Sequence, residues 1–259
     1  DRRSRNLATD SDYLSFLAKA SSRKKIVDDS KDKEPAQPVE KMHRRHSSMS
    51  GSRGRVSASE ESTEFIRFRS EAAEFGKRNL IADAVDGAVV LPGEKFSINT
   101  HVGPRTEVKG YVAAGAIVGG EIVCCDHPAN IGGGTSQFAT TLYNAVFWGG
   151  YEDIYHKPHS LYFTRYPVGI EATLGYPGPD VVFRNDTLAP LYIDTSYTSR
   201  SVTVRLYGTN EGRVVNGFTT GSVTSKDGGV VRVTRTIEYP NGAYEIQRWA
   251  HRYNPMPED

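Results

Sequence analysis

The sequence predicts an α+β fold in which two principal helices pack on a mainly antiparallel sheet or partial barrel, preceded by a disordered N-terminal tail. Three observations predict it. Apolar residues recur at helical spacing in two places, several later segments are rich in β-branched and aromatic residues, and the first 60 residues contain few of either. We therefore divide the chain into a charged tail or linker (1–60), a domain (61–210) and a C-terminal β extension (211–259).

Composition excludes several classes of protein. The 259 residues include 32 basic and 31 acidic side chains, a net charge of +1 that argues against a dedicated nucleic-acid-binding protein. No apolar run approaches the roughly 18 to 20 residues of a membrane-spanning helix. The two cysteines, Cys124 and Cys125, are adjacent, which does not fit a disulfide scaffold. Because the chain begins with Asp1, we expect that a signal or anchor is missing from it.

The first helix is predicted from Ser62 or Thr63, either of which would cap it, to about Gly87. Its apolar positions follow a mostly helical spacing: Phe65, Ile66, Phe68, Ala72, Phe75, Leu80 and Ile81. A short strand is predicted at 88–91, stopped by Pro92 and Gly93. Further strands are expected around Phe96 and Ile98 and over 111–118.

The second helix is predicted to follow residue 137, because the apolar residues Phe138, Leu142, Ala145 and Val146 fall on one stripe. Gly149 and Gly150 would end it. Beyond it the pattern is mostly β, with strands predicted at 161–166, 180–184, 191–195, 202–207, 230–237 and 244–249.

Gly132, Gly133 and Gly134 precede this helix and leave backbone N–H groups free to bind an oxyanion at its positive end. No Lys-Ser or Lys-Thr follows at the spacing of a phosphate-binding loop. In the first turn, the Ser136 hydroxyl would share that field with the Gly134 to Gln137 amides, as a nucleophile beside an oxyanion pocket does. The alternative is that Thr135 or Ser136 only caps the helix, which is the commoner role.

A nucleophilic serine requires a base, and His156 and His159 are the candidates. We favour His159, which Pro158 and a following strand would hold at a rigid edge, with Glu171 or Asp180 to orient the ring. A histidine in a strand is more often a hydrogen-bonded structural residue, and geometry must decide.

Arg105 and Arg165 are candidates for holding a substrate carboxylate in a bidentate pair, although both could be ordinary ion-pair partners. A metal site is a weaker alternative. Its residue types are present in Cys124, Cys125, His127, His156 and His159, but their spacing does not match a structural zinc site. We predict no metal and no cofactor.

Several motifs together resemble the VanW family, named for an accessory protein of vancomycin-resistance clusters. They occur in the family's order over about residues 62–210: LPGEKFSIN at 91–99, VGPRT at 102–106, GGGTSQ at 132–137, TTLYNA at 140–145, His159-Ser160 and FRN at 183–185. The resemblance implies a bacterial cell-envelope protein whose partners are peptidoglycan stem peptides. It extends to members described as L,D-transpeptidases that use a cysteine after the glycine run.

Carried over by position, Ser136 occupies the place of that cysteine and His159 the place of the family histidine. Ile170 stands where many relatives have Arg. A serine hydroxyl is less easily ionised than a thiol, so two hypotheses stay open. The first is an acyl transferase with Ser136, His159 and Glu171 as catalytic residues. The second is a non-catalytic peptidoglycan-binding or scaffolding module. An intracellular interaction protein is a third, weaker alternative.

Overall fold

The computed structural model describes residues 64–71, 79–112, 116–118, 121–123, 135–198 and 201–257, with side chains described except in 64–71, 116–118 and 121–123. Within these residues there are three α-helices: α1 (Leu80–Val85), α2 (Ile98–Val102) and α3 (Thr135–Gly149). The strands are β1 (Glu64–Glu71), β2 (Val89–Val90), β3 (Lys95–Ser97), β4 (Ala116–Val118), β5 (Glu121–Val123), β6 (Glu152–Tyr155), β7 (Val182–Arg184), β8 (Leu191–Tyr197), β9 (Ser201–Gly208), β10 (Val214–Thr224), β11 (Gly228–Glu238) and β12 (Tyr244–Tyr253).

These strands pair antiparallel in four sheets. The largest has the order β1-β9-β8-β2, and two three-stranded sheets have the orders β3-β7-β6 and β10-β11-β12. A short β4-β5 hairpin completes the set. The broad α+β prediction with antiparallel pairing is confirmed, but the prediction of two principal helices is not, since α3 is the one long helix of the described residues.

Helix α3 lies in the centre of the molecule. It packs on β1 and β9 and also contacts β10, and all of its residues except Ser136 and Trp148 are buried. A helix buried on every side loses the polar face of a surface helix. Its remaining polar side chains must therefore find partners inside the protein.

The predicted helix from Ser62 to Gly87 is wrong in its first part. Residues 64–71 form β1, which pairs with β9 from Glu64 opposite Gly208 to Glu71 opposite Ser201, and helix begins only at Leu80. The residues between lie outside the described ones. Pairing with β9 satisfies the backbone groups of β1, and this long-range gain outweighs the local helical spacing.

The later strand predictions succeed except at 161–166. The predictions at 180–184, 191–195, 202–207, 230–237 and 244–249 correspond to β7, β8, β9, β11 and β12. Leu161 instead forms a single parallel bridge with Asn254, and the chain turns at 164–165. Strands β6 and β10 were not predicted, and Ile98 starts α2 rather than extending a strand.

The C-terminal sheet covers the end of α3. A Cβ built on Gly217 of β10 would lie 2.7 Å from Cε1 of Phe147 and 3.0 Å from Cη2 of Trp148. Only glycine permits so close an approach of strand and helix. On β11 the buried residues alternate with more exposed ones, so one face of this sheet packs on the core and the other faces solvent.

Across the described residues, the helices are too short or too polar to cross a membrane.

Candidate active site

A polar stripe on α3 holds an extended segment of chain, residues 170–174. Asn144 Nδ2 donates to the Ile170 carbonyl at 2.8 Å, and Thr140 Oγ1 both donates to the Ala172 carbonyl at 3.2 Å and accepts from the Ala172 amide at 3.1 Å. At the first turn, Ser136 Oγ accepts from the Leu174 amide at 3.0 Å.

The spacing of this ladder follows from the geometry of helix and strand. Residues four apart on a helix lie on one face with a rise of about 6 Å. Two residues of extended chain span roughly 6.6 Å and present their backbone groups to the same edge. Ser136, Thr140 and Asn144 therefore match alternate residues of the segment, as a neighbouring strand would.

The opposite edge of the segment faces residues 157–159. The Thr173 amide donates to the Lys157 carbonyl at 2.7 Å. Two residues away, Nδ1 of His159 lies 2.6 Å from Oε2 of Glu171. The segment thus lies between α3 on one edge and residues 157–159 on the other.

Two aromatic side chains pack on the His159 ring, and His251 contacts its backbone. It stacks on Tyr166 with centroids 5.0 Å apart and planes at 11°, and it meets Phe163 edge-on at 5.8 Å. His251 Nε2 hydrogen-bonds the His159 carbonyl at 2.7 Å. The residue is only 6% exposed, and among the described residues no group hydrogen-bonds its Nε2. Nε2 is therefore the ring atom available to exchange a proton with a ligand.

Glu171 is fully buried, and only Oε2 is paired in hydrogen-bond geometry; Oε1 is buried without such a partner among the described residues. The Tyr253 hydroxyl lies near this carboxylate and accepts a hydrogen bond from the Gly169 amide at 2.9 Å. Burial raises the pKa of Tyr253 first and the nearby charge of Glu171 raises it further, while the hydrogen bond from the Gly169 amide opposes the rise. A neutral Tyr253 beside the carboxylate is thus the stable form.

Tyr166 is likewise held in its neutral form. Burial raises its pKa to about 12, with a further increase from the Glu171 charge and an opposing effect from Arg165. Arg165 itself is exposed and lies over the Phe163 and Tyr166 rings, with Cζ 5.4 Å and 5.7 Å from their centroids. It stands at the edge of the aromatic cluster that encloses His159.

The structure does not join Ser136 and His159. Ser136 contacts the Leu174 amide and His159 contacts the Glu171 carboxyl group, and among the described residues no hydrogen bond connects their side chains. Nor does Ser136 cap α3, since its hydroxyl accepts from Leu174 rather than from an amide of its own helix. Its position is that of a tether between the helix and the segment.

Arg105 lies near the same end of the segment. Its Nη1 donates to Asn99 Oδ1 and to the Gly103 carbonyl, and Asn99 Nδ2 donates in turn to the Gly175 carbonyl at 2.8 Å. The guanidinium lies over the Tyr176 ring at 5.6 Å. Burial lowers the pKa of Arg105, while nearby Tyr111, Asp180 and Tyr176 raise it.

Arg105 has two nitrogen atoms without a hydrogen-bond partner among the described residues. Among the described residues its Nε and Nη2 make no hydrogen bond, and neither is sealed from solvent. With the side chain already ordered by Asn99, this open edge suits a planar anion such as a carboxylate.

Two of the sequence alternatives have other roles. Asp180 accepts from Ser97 Oγ at 2.6 Å and from the Asn99 amide at 3.1 Å, so it anchors the start of α2 rather than orienting His159. His156 pairs through Nδ1 with Asp153 at 2.7 Å and stacks on Tyr143 at 4.0 Å. Ile170 lies in the hydrophobic core at 4% exposure.

Gly132, Gly133, Gly134, Cys124, Cys125 and His127 lie outside the described residues, so the predicted oxyanion loop and the cysteine-containing metal alternative have no structural description. Gln137 is buried in the first turn of α3. Within the described ranges, no three His, Cys, Asp or Glu side chains cluster as metal ligands would.

Sequence reasoning missed Thr140, Asn144 and the C-terminal residues His251 and Tyr253. The sequence does contain a signal for the first two, because polar residues recur every four positions at Ser136, Thr140 and Asn144, although Thr135, Gln137 and Thr141 on the same helix are polar as well. His251 and Tyr253 carried none, since they reach the site only when β12 docks on the domain.

Comparisons with known proteins agree with the motifs. A sequence model of a family described as "VanW like protein" matches residues 78–207. The chain is 36% identical over 132 residues to a Bacillus subtilis (strain 168) protein described as "Uncharacterized protein YoaR". That stretch is 51% of this chain and 42% of the relative, so the chain spans less than half of the relative's length. No solved structure matches the chain.

Proposed function

This chain belongs to the VanW family, and we propose on that basis that it is a cell-envelope protein that binds peptidoglycan stem peptides without acyl transfer through Ser136. The observation that carries the non-catalytic assignment is the hydrogen bond from the Leu174 amide to Ser136 Oγ at 3.0 Å. A serine nucleophile needs a base at its hydroxyl, and among the described residues no side chain hydrogen-bonds Ser136 Oγ.

Two cationic groups support binding of a peptide that carries carboxylates. The open edge of Arg105 lies at the Leu174–Tyr176 end of the segment, and the exposed Arg165 lies beside His159. The first turn of α3, close to Arg105, adds the positive end of a 15-residue helix. Stem peptides present carboxylates to such groups, and the exposed Tyr176 ring offers an apolar surface beside them.

Acyl transfer is the second candidate, and the His159–Glu171 pair favours it. A fully buried carboxylate paired with a histidine is costly as a device for stability alone. Such pairs are common where a base must be oriented. In this version Ser136 would attack a stem-peptide carbonyl while His159 takes the hydroxyl proton. The peptide bond would break as His159 returns that proton to the departing amine, and a second amine or water would then release the acyl group from Ser136.

One experiment separates the two. The protein, its Ser136→Ala variant and a Ser222→Ala control are incubated with purified tetrapeptide-containing muropeptides. Binding is followed by calorimetry and covalent change by mass spectrometry. We expect saturable binding by all three proteins, with no acyl adduct and unaltered muropeptides.

Cross-linked or trimmed muropeptides, or an adduct on Ser136, that disappear only in Ser136→Ala would replace this proposal with the acyl transferase. Absence of both binding and turnover would reject stem peptides as the ligand. An Arg165→Gln variant tests the binding mode, because we expect it to weaken muropeptide binding at least five-fold while Lys95→Gln does not.

A further inference from the structure

The solvent-facing side of the C-terminal sheet carries a separate cluster of positive charge. Arg232 on β11 lies opposite Ala250 on β12, and Arg248 and Arg252 are the residues two positions to either side of Ala250. Across a sheet such diagonal neighbours have Cβ atoms about 7–8 Å apart. All three arginines are exposed, and they share the face that points away from the core.

None of these arginines has an acidic partner. Within the described residues, no ion pair or hydrogen bond involves Arg232, Arg248 or Arg252. Of the acidic side chains on these three strands, Glu238 is the one on this face, and it lies six residues along β11 from Arg232, about 20 Å away. Three clustered like charges repel one another, so the fold gains nothing from this arrangement.

Most other residues of the face are polar, with Glu238 its acidic residue and exposed apolar side chains at Val214, Phe218, Tyr244 and Ile246. Strand β10 contributes Asn216, Thr220, Ser222 and Thr224, and β11 contributes Thr234 and Thr236. Beside them lie Phe218 at 57% and Tyr244 at 68% exposure. Hydroxyl and amide groups beside aromatic rings suit a polyol or sugar chain, and unpaired guanidinium groups suit phosphates that recur along it.

We propose that this face binds a linear polyanion whose polyol units are joined by phosphodiesters. Charge complementarity carries the choice of partner, and the hydroxyl groups beside the arginines favour a polyol chain over a bilayer or a nucleic-acid duplex. The N-terminal residues 1–63 are a poor occupant, since they carry 14 basic and 10 acidic side chains and share the sign of the face. The site is distinct from the His159 region and does not depend on the function proposed for it.

The test measures binding of end-labelled poly(glycerol phosphate) by fluorescence anisotropy between 50 and 200 mM NaCl. We expect Arg232→Gln/Arg248→Gln to weaken binding at least ten-fold at 50 mM. We also expect the slope of log affinity against log salt to fall by about 1.5, as the loss of two phosphate contacts requires. The control Lys95→Gln/Lys109→Gln removes two exposed charges elsewhere and should change affinity less than two-fold.

Parallel measurements use polyglutamate, phosphatidylglycerol vesicles and duplex DNA. The proposal stands if each binds at least five-fold more weakly than poly(glycerol phosphate). Equal loss of affinity in the two double variants would overturn it, because net charge rather than this face would then determine binding. Equal or tighter binding to polyglutamate, vesicles or DNA would overturn the assignment of a phosphodiester polymer and identify the partner class instead.

Discussion

The Leu174 amide and the Ser136 hydroxyl form the last rung of a ladder between α3 and the segment that carries Glu171. Because this ladder fixes one edge of the segment, it also fixes where the Glu171 carboxylate meets His159 on the other side. Ser136 therefore influences the histidine through the backbone of residues 171–174 rather than by direct contact.

Thr140→Val should destabilise the protein, because it removes the middle contact between α3 and residues 170–174. The hydroxyl serves both the amide and the carbonyl of Ala172 in the buried interior, and valine leaves both groups unpaired. We expect the free energy of unfolding in urea to fall by about 2–3 kcal/mol. Thr219→Val is the control, because that hydroxyl lies at an exposed position of β10 and donates to the Val168 carbonyl at 3.3 Å, where water can replace it. Equal losses in the two variants would show that the ladder contributes nothing specific.

Glu171→Gln should weaken the fold much more than an equivalent change at the surface. Glu171 is fully buried and pairs with a histidine, so the variant loses a charge-assisted hydrogen bond that solvent cannot replace. We expect a loss of about 2 kcal/mol or more in the free energy of unfolding. Glu152→Gln is the surface control, because it breaks an ion pair with Arg184. The side chains of Glu152 and Arg184 are 43% and 36% exposed, so the free energy of unfolding should fall by less than about 1 kcal/mol. If the two substitutions cost the same, the buried pair has no special role in stability.

Ionisation of Tyr166 at alkaline pH should destabilise the folded protein. Its pKa is about 12 in the folded protein, against about 10 in an unfolded chain. Since the pKa is higher in the folded protein, the contribution of neutral Tyr166 to the free energy of unfolding is fully present below about pH 10. This contribution is lost as pH rises towards about 12. The amount lost is roughly 2–3 kcal/mol.

Urea unfolding at pH 9 and pH 11.5 tests this contribution. We expect Tyr166→Phe to lose distinctly less stability between the two pH values than the unsubstituted protein does. Tyr244→Phe, at an exposed position of β12, should behave as the unsubstituted protein. A Tyr166→Phe variant with an unchanged pH dependence would contradict the prediction.

Gly217→Ala tests how tightly the C-terminal sheet is docked. The added methyl would meet Phe147 Cε1 at 2.7 Å and Cζ at 2.9 Å, distances that force helix or strand to shift. We expect a loss of about 1–3 kcal/mol in thermal or urea unfolding. Asn216→Ala, at the neighbouring outward-facing position, should cost less than about 0.5 kcal/mol. A tolerated Gly217→Ala would mean that the sheet moves away from α3 without penalty.

Much of the fold and the identity of the site residues were predictable from local pattern. The apolar stripe from Phe138 to Val146 and the double glycine after it gave α3, and alternating β-branched residues gave β8, β9 and β11. Family motifs indicated His159, and the acids near it in sequence were few. These features are local, so a single sequence records them.

Tertiary structure decided what local pattern could not. Residues 64–71 carry helical spacing but form β1, because β9 offers partners that lie 130 to 144 residues away in the chain, from Glu71 opposite Ser201 to Glu64 opposite Gly208. Glu171 rather than Asp180 pairs with His159, because the ladder on α3 turns the segment so that its alternate residues face the histidine. Ser136, the residue that sequence favoured as a nucleophile, accepts a hydrogen bond from the Leu174 amide, a contact that depends on how residues 170–174 pack against α3 and that no local pattern records.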